Sequence, residues 1–177
     1  MKYVAIDTET TGLSDKCSLI EIAMVFEDTS KPDPIEELPA FHAVVNVGAG
    51  AFWEPFALQM HLDNGLYAQV ATEGISMGKA VDDGMSWLSG RFGYYERGSV
   101  VAAGKNFAGF DKRFLPFPLS AAFHYRAIDP GSVFMDFNHD RPPGLNDLLS
   151  ADEQPDVPHR ALEDARNVVR VLRRKYA

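Results

Sequence analysis

Asp7 and Glu9 stand two residues apart at the end of the run Lys2-Tyr3-Val4-Ala5-Ile6. That run is mostly apolar and partly β-branched, so it reads as a buried strand. Side chains alternate along a strand, which puts Asp7 and Glu9 on one face. Two neighbouring carboxylates repel each other, and burial raises the cost. A cation between them removes that cost, and hard divalent ions such as Mg²⁺ prefer carboxylate and water oxygens. The residues that follow, Thr10-Thr11-Gly12-Leu13, also suit an ordinary polar turn. The pair alone therefore leaves two readings open, a metal seat and a strand running into a turn.

Three later residues bear on that choice. Asp111 lies in Gly104-Lys105-Asn106-Phe107-Ala108-Gly109-Phe110-Asp111, after the apolar run Val100–Ala103. A strand, a glycine and then a helix would place Asp111 at the C-terminal edge of a sheet, where α/β sites form. Asp164 follows His159 by five residues. On one continuous helix the two would point about 140° apart. Pro158 favours a different geometry, with His159 at the helix entrance and Asp164 in the first turns. Two divalent ions held by such carboxylates can position a phosphodiester, generate hydroxide and stabilise the leaving oxygen. A histidine beside them can take the proton from the attacking water, so His159 need not be a ligand.

The elements that must position these groups are legible in outline. Ile20–Phe26 and Phe41–Val47 read as a second and third strand, joined through a proline-rich, charged loop from Glu27 to Pro39. Short links of this kind suggest an antiparallel meander. Glu54–Met60 suits a short helix with Pro55 in its first turn, and His61–Leu66 a turn. Ser76 is a plausible N-cap for a helix that ends near Gly90. Val100–Ala103 and Tyr125–Asp129 read as fourth and fifth strands, and Leu145–Leu149 as a short helix. The last helix is the clearest, with Ala161, Ala165, Val168 and Leu172 at spacings of three and four. Arg166, Arg170, Arg173, Arg174 and Lys175 would form its solvated side and tail. The expected architecture is α/β: a mixed five-stranded sheet, antiparallel in its first three strands, flanked by helices, in a single domain over residues 1–177.

Composition narrows the setting. The 177 residues are 46% hydrophobic and carry a net charge of −8. That balance argues against tight, non-specific grip on long nucleic acid. It leaves room for a nuclease whose metals neutralise the phosphates. No signal peptide and no membrane span of roughly 18 apolar residues is expected. The one cysteine, Cys17, fits a reducing, cytoplasmic location.

Asp7-x-Glu9 with Thr-Thr-Gly-Leu, then Asp111, then His159-x4-Asp164 resembles the DEDDh family of 3′→5′ exonucleases, which has a ribonuclease-H-like fold. The three motifs occur in order and span the chain. A sister subgroup has tyrosine four residues before the last aspartate; here that residue is Arg160. The resemblance implies two divalent ions, Mg²⁺ or Mn²⁺. Asp7, Glu9 and Asp164 would hold one of them, with Asp7 bridging to a second supported by Asp111. His159 would be the general base. Leu13 would wedge between the last bases, with Thr10 and Gly12 meeting the terminal ribose.

A narrower similarity is to oligoribonuclease. It rests on Met60-His61-x-x-Asn64-Gly65-Leu66, on Asn106-x-x-Gly109-x-Asp111-x-Arg113-Phe114-Leu115 and on Phe123-His124-Tyr125-Arg126-Ala127-Ile128-Asp129. It implies that His61 and Asn106 touch substrate. It also implies a homodimer in which Tyr125 and Arg126 reach the partner subunit's substrate. The chain departs from that pattern at Asp129-Pro130-Gly131-Ser132, Phe107, Phe110 and Phe56, several of them in the part that caps a 5′ phosphate. The expected activity is release of nucleoside 5′-monophosphates from short single-stranded RNA, with single-stranded DNA as the alternative. A proofreading role would need a polymerase partner. Aspartate-nucleophile phosphatases also start with a strand and Asp-x-Asp, but Glu9 breaks that pattern. A silent nucleic-acid- or protein-binding domain would have lost carboxylates that are all present.

Overall fold

The computed structural model describes residues 1–153 and 159–176. Its centre is a sheet of four strands: β1 (Lys2–Thr10), β2 (Leu19–Asp28), β3 (Ala40–Val44) and β4 (Ala102–Ala103), in the order β3-β2-β1-β4. The first three form the expected antiparallel meander, and β4 joins β1 in parallel. The helices are α1 (Pro55–Asp63), α2 (Leu66–Thr72), α3 (Met77–Phe92), α4 (Asp111–Phe114), α5 (Leu119–Ala122), α6 (Pro130–Val133), α7 (Leu145–Leu148) and α8 (Ala161–Arg173). No helix among the described residues is long and apolar enough to cross a membrane.

The expected fifth strand is absent, and the five-stranded sheet is corrected to four. Phe123 and Ile128 make only single bridges, to Val100 and Ala103. Between them the backbone turns: the Arg126 amide donates to the ring nitrogen Nδ1 of its near neighbour His124 at 3.0 Å. A side chain that captures a nearby backbone amide competes with the sheet for it. The run of apolar and aromatic residues is strand-like in composition, but the chain touches the sheet edge at two points only.

The strand period sorts β1 cleanly. Val4 and Ile6 face a core built with Ala80, Val81 and Leu88 of α3 and with Phe107, Leu119 and Phe123. Tyr3 and Ala5 face the other way, onto Ala161, Ala165, Val168 and Leu172 of α8. Asp7 and Glu9 continue this second row, so they emerge on the α8 side. Alanines at positions 5, 23 and 103 meet the alanines of α8, and small residues let a helix approach a sheet closely. α3 starts as expected, with Ser76 accepting from the Lys79 amide at 3.3 Å. The arginines of α8 are not a solvated face. Arg173 donates to the buried Glu27 at 2.6 Å, Arg166 and Arg170 pair with Glu36 and Glu163, and Arg174 pairs with Glu153.

Candidate active site

One cleft, with a volume of about 440 Å³, is lined by Asp7, Glu9, Asp111, His159 and Asp164 together with Leu13, Lys105, Asn106 and Phe110. All five residues expected to do the chemistry converge there, from three separated parts of the chain. β1 supplies Asp7 and Glu9. Asp111 opens α4 and is 3% exposed. Its Oδ1 accepts from both the amide (3.1 Å) and the hydroxyl (2.7 Å) of Thr8. Thr8 lies between Asp7 and Glu9 and faces the opposite side, so this double bond brings α4 up to the strand end. Gly104 makes the approach possible: a Cβ there would sit 2.6 Å from the Ile6 carbonyl oxygen.

Asp164 lies in the first turn of α8, its amide donating to the Arg160 carbonyl at 3.0 Å. His159 precedes the helix in the left-handed region, at φ 57°. Ligand atoms of Glu9, His159 and Asp164 lie within 4.8 Å of one another. His159 is therefore at the helix entrance, as expected; Pro158, to which that geometry was ascribed, lies outside the described residues.

The electrostatics fit a divalent cation. Burial is the largest cause raising Asp7, Glu9, Asp111 and Asp164 above the usual carboxylate range, and the carboxylates raise Asp7 and Glu9 further by repulsion. Asp111 and Asp164 are each pushed up to about 6. His159 and Lys105 offset part of that rise at Asp164. Four hard oxygen donors, converging and still raised despite these nearby cations, are what Mg²⁺ or Mn²⁺ would satisfy.

The loop after β1 is held firmly. The Glu54 carboxylate accepts from the amides of Leu13 (2.9 Å) and Ser14 (3.1 Å), and the Arg113 guanidinium donates to the Leu13 carbonyl. Gly12 sits at φ 152°, where a Cβ would fall 2.6 Å from the Glu54 side chain. Leu13 is 68% exposed on this braced loop. Thr10 is buried and donates to the Gly12 carbonyl at 2.7 Å. Sequence reasoning missed Glu54 and Lys105. Glu54 is 41 residues from the loop it grips, and a lone glutamate ahead of a helix gives no signal.

The remaining expected contacts divide. Asn106 lines the cleft, with its amide donating to Asp129 Oδ2 at 2.6 Å. His61 does not line the cleft: its ring is fully buried, donates to the Thr10 carbonyl at 3.1 Å and lies 3.7 Å from Glu9. The structure places it on the inner face of α1, beneath the end of β1. Tyr125 is 69% exposed with Arg126 stacked on it, and neither lines the cleft of its own chain. Phe110 lines the cleft, whereas Phe107 packs edge-on against Phe123 in the core.

Residues 4–172 match the RNase_T family, whose description is exonuclease. The chain belongs to that exonuclease family. With its carboxylate cluster, family membership makes it a metal-dependent 3′→5′ exonuclease of the DEDD type. No curated protein matches significantly in sequence. Solved structures share the fold at low identity. Pop2p of S. pombe, solved with Mg²⁺ and Mn²⁺, is 17% identical at a TM-score of 0.72, over 98% of this chain and 83% of that one. Cell-death related nuclease 4 is 15% identical at 0.70, over 98% and 62%. E. coli exonuclease I, in complex with a 5cy-dT13 oligonucleotide, is 12% identical at 0.62, over 98% and 40%. The chain thus spans most of Pop2p but less than two thirds of the other two.

Proposed function

We propose that residues 1–177 act as one exonuclease unit that removes nucleoside 5′-monophosphates from the 3′ end of short single-stranded RNA. Single-stranded DNA is the second substrate class. The observation that supports this is the convergence of four carboxylates, all raised by burial, and His159 in one cleft beside the exposed, braced Leu13. Asp7, Glu9 and Asp164 would hold one divalent ion, and Asp7 with Asp111 a second. When bound, Mg²⁺ or Mn²⁺ would supply positive charge to the phosphodiester and acidify the attacking water.

The chain's own residues do the rest. His159 reaches the Glu9–Asp164 end of the cleft and takes the proton from water there. Leu13 and Phe110 offer apolar surface on which the terminal base can stack. The loop from Thr10 to Leu13, fixed by Glu54 and Arg113, seats the 3′ nucleotide. Asn106 extends a polar group over the same cleft. The likeness to oligoribonuclease adds a homodimer, in which Tyr125 and Arg126, exposed and outside their own cleft, would serve the partner's. Exonuclease I was solved with a DNA oligonucleotide, which keeps DNA, and a role beside a polymerase, as the rival to be tested.

One assay decides. Purified protein with Mn²⁺ is given 5′-labelled RNA and DNA oligonucleotides of two to about twenty residues, with Asp164→Ala as control. A ladder shortening from the 3′ end, fastest on short RNA and absent in the control, is expected. Equal cleavage at all lengths would remove the preference for short strands, and DNA cleaved faster than RNA would reverse the substrate order. Light scattering tests the dimer, and a monomer would remove the assignment of Tyr125 and Arg126.

A further inference from the structure

We infer that Glu21, Arg160 and Asn64 form a clamp that positions His159 for its role as base, on the reading of His159 given above. Glu21 lies on β2 directly across the ladder from Glu9 and is fully buried. Its Oε1 accepts from Arg160 Nη2 at 2.9 Å and from His42 Nε2 at 2.7 Å. Its Oε2 accepts from the Ala161 amide at 3.0 Å. A carboxylate from another strand thus caps the start of α8 and grips the guanidinium of the residue that follows His159. Arg160 donates on to Gln69 of α2 at 2.7 Å.

From the other side, Asn64 Nδ2 donates to the His159 carbonyl at 2.8 Å. His159 is one of two non-glycine residues at positive φ among the described residues. Such a backbone is strained for a residue with a Cβ and persists only where the surroundings over-determine it. Here the surroundings are Asn64 on its own carbonyl and the Glu21-bound Arg160 after it. The histidine is exposed, so packing does little to hold it. Asp164 differs, because α8 is anchored by Ala161, Ala165, Val168 and Leu172 against the sheet. Loosening the clamp should therefore disturb the base before it disturbs the carboxylates. Arg160 and Glu21 are positioning residues; neither lines the cleft.

The test is a kinetic cycle of Arg160→Lys, His159→Ala and the double variant, with Mn²⁺ and a short RNA. Arg160→Lys keeps the charge opposite Glu21 but loses the planar fork. Its kcat should fall roughly 10- to 100-fold at neutral pH, the scale of misplacing a catalytic group, with KM, Mn²⁺ affinity and Tm near wild type. The deficit should narrow as pH rises and bulk hydroxide replaces the base, as it should in His159→Ala. The double variant should be no slower than His159→Ala, because a positioning residue has nothing left to position. Multiplying losses, or an unchanged kcat in Arg160→Lys, would overturn the clamp. Full activity in His159→Ala would instead overturn the base on which it rests. If Arg160→Lys lowers Tm, Asn64→Ala takes its place in the same cycle, with the same outcomes.

Discussion

Glu9 and Glu21 are paired across the β1–β2 ladder, both buried, and the protein treats them in opposite ways. Glu21 receives a guanidinium, an imidazole and a backbone amide, which outweigh its burial and hold its carboxyl below the usual range. Glu9, with Asp7, Asp111 and Asp164, is raised by the same burial, and its neighbour His61, 3.7 Å away, is itself pushed towards the neutral form by burial. Glu27 falls between: it is fully buried on Arg173, yet burial still raises its carboxyl. Where a carboxylate serves the fold, an arginine sits on it. Where the proposed function gives it to the reaction, the compensating charge would come from a bound ion, and without one the fold carries the electrostatic cost.

The largest expected effect separates activity from stability. Asp111→Asn keeps an acceptor for both Thr8 donors and removes one buried charge. Exonuclease kcat should fall by at least about 10³-fold, the range expected when a charge-stabilising group is lost. Without metal at neutral pH the variant should be more stable than wild type. Asp111 titrates at about 6, against roughly 3.9 unfolded, so ionising it in place costs on the order of 2–3 kcal/mol. Thermal unfolding in chelator reads the gain, and a Tm below wild type would break the comparison. Glu21→Gln should do the reverse. Removing one partner of a buried ion pair leaves Arg160 uncompensated and costs about 3–5 kcal/mol, read by denaturant unfolding with or without metal.

A pH series sharpens the same contrast. The raised carboxylates contribute stability that is fully present below about pH 4 and is lost as pH rises through about 6, the value for Asp111 and Asp164. Glu21 has the opposite sign: its lowered carboxyl contributes above its unfolded value and loses that contribution in acid. The rise in Tm produced by Mn²⁺ should therefore be several degrees at pH 7.5 and small at pH 5, where the site is largely protonated. An equal shift at both pH values would mean that the ion binds elsewhere.

The carboxylates proposed for the site were legible in the sequence because period-two and helix-start rules fix where Asp7, Glu9 and Asp164 point, whatever the tertiary details. The first three strands, α3 and α8 followed from local pattern in the same way. The fifth strand did not, because a side-chain bond from His124 to a nearby amide decides it, and composition does not encode that bond. The arginines of α8 looked solvated because two of the partners that take them off the surface, Glu27 for Arg173 and Glu36 for Arg170, lie more than a hundred residues earlier. His61 was read from a motif as touching substrate, while its position on the inner face of α1 depends on how that helix docks. Long-range partners are what a single sequence hides, and Glu54 is the clearest example.

Glu54 gives the comparison a third kind of carboxylate, and the smallest expected effect. It is neither buried among carboxylates nor paired with arginine. Its carboxyl is held below the usual range, chiefly by the Leu13 amide it accepts from. Its charge is solvated, so its role is geometric: two amides on one carboxylate fix the loop on which Leu13 stands. Glu54→Ala releases both, leaving Arg113 as the remaining brace on the Leu13 carbonyl. KM for a short RNA should rise about 3- to 10-fold while kcat changes less than about twofold, since the lost contact serves binding more than the transition state. Glu54→Gln keeps acceptor capacity and should lie between. A loss in kcat as large as that of Asp111→Asn would place Glu54 with the reacting carboxylates, and the division between carboxylates that hold and carboxylates that react would fail at this residue.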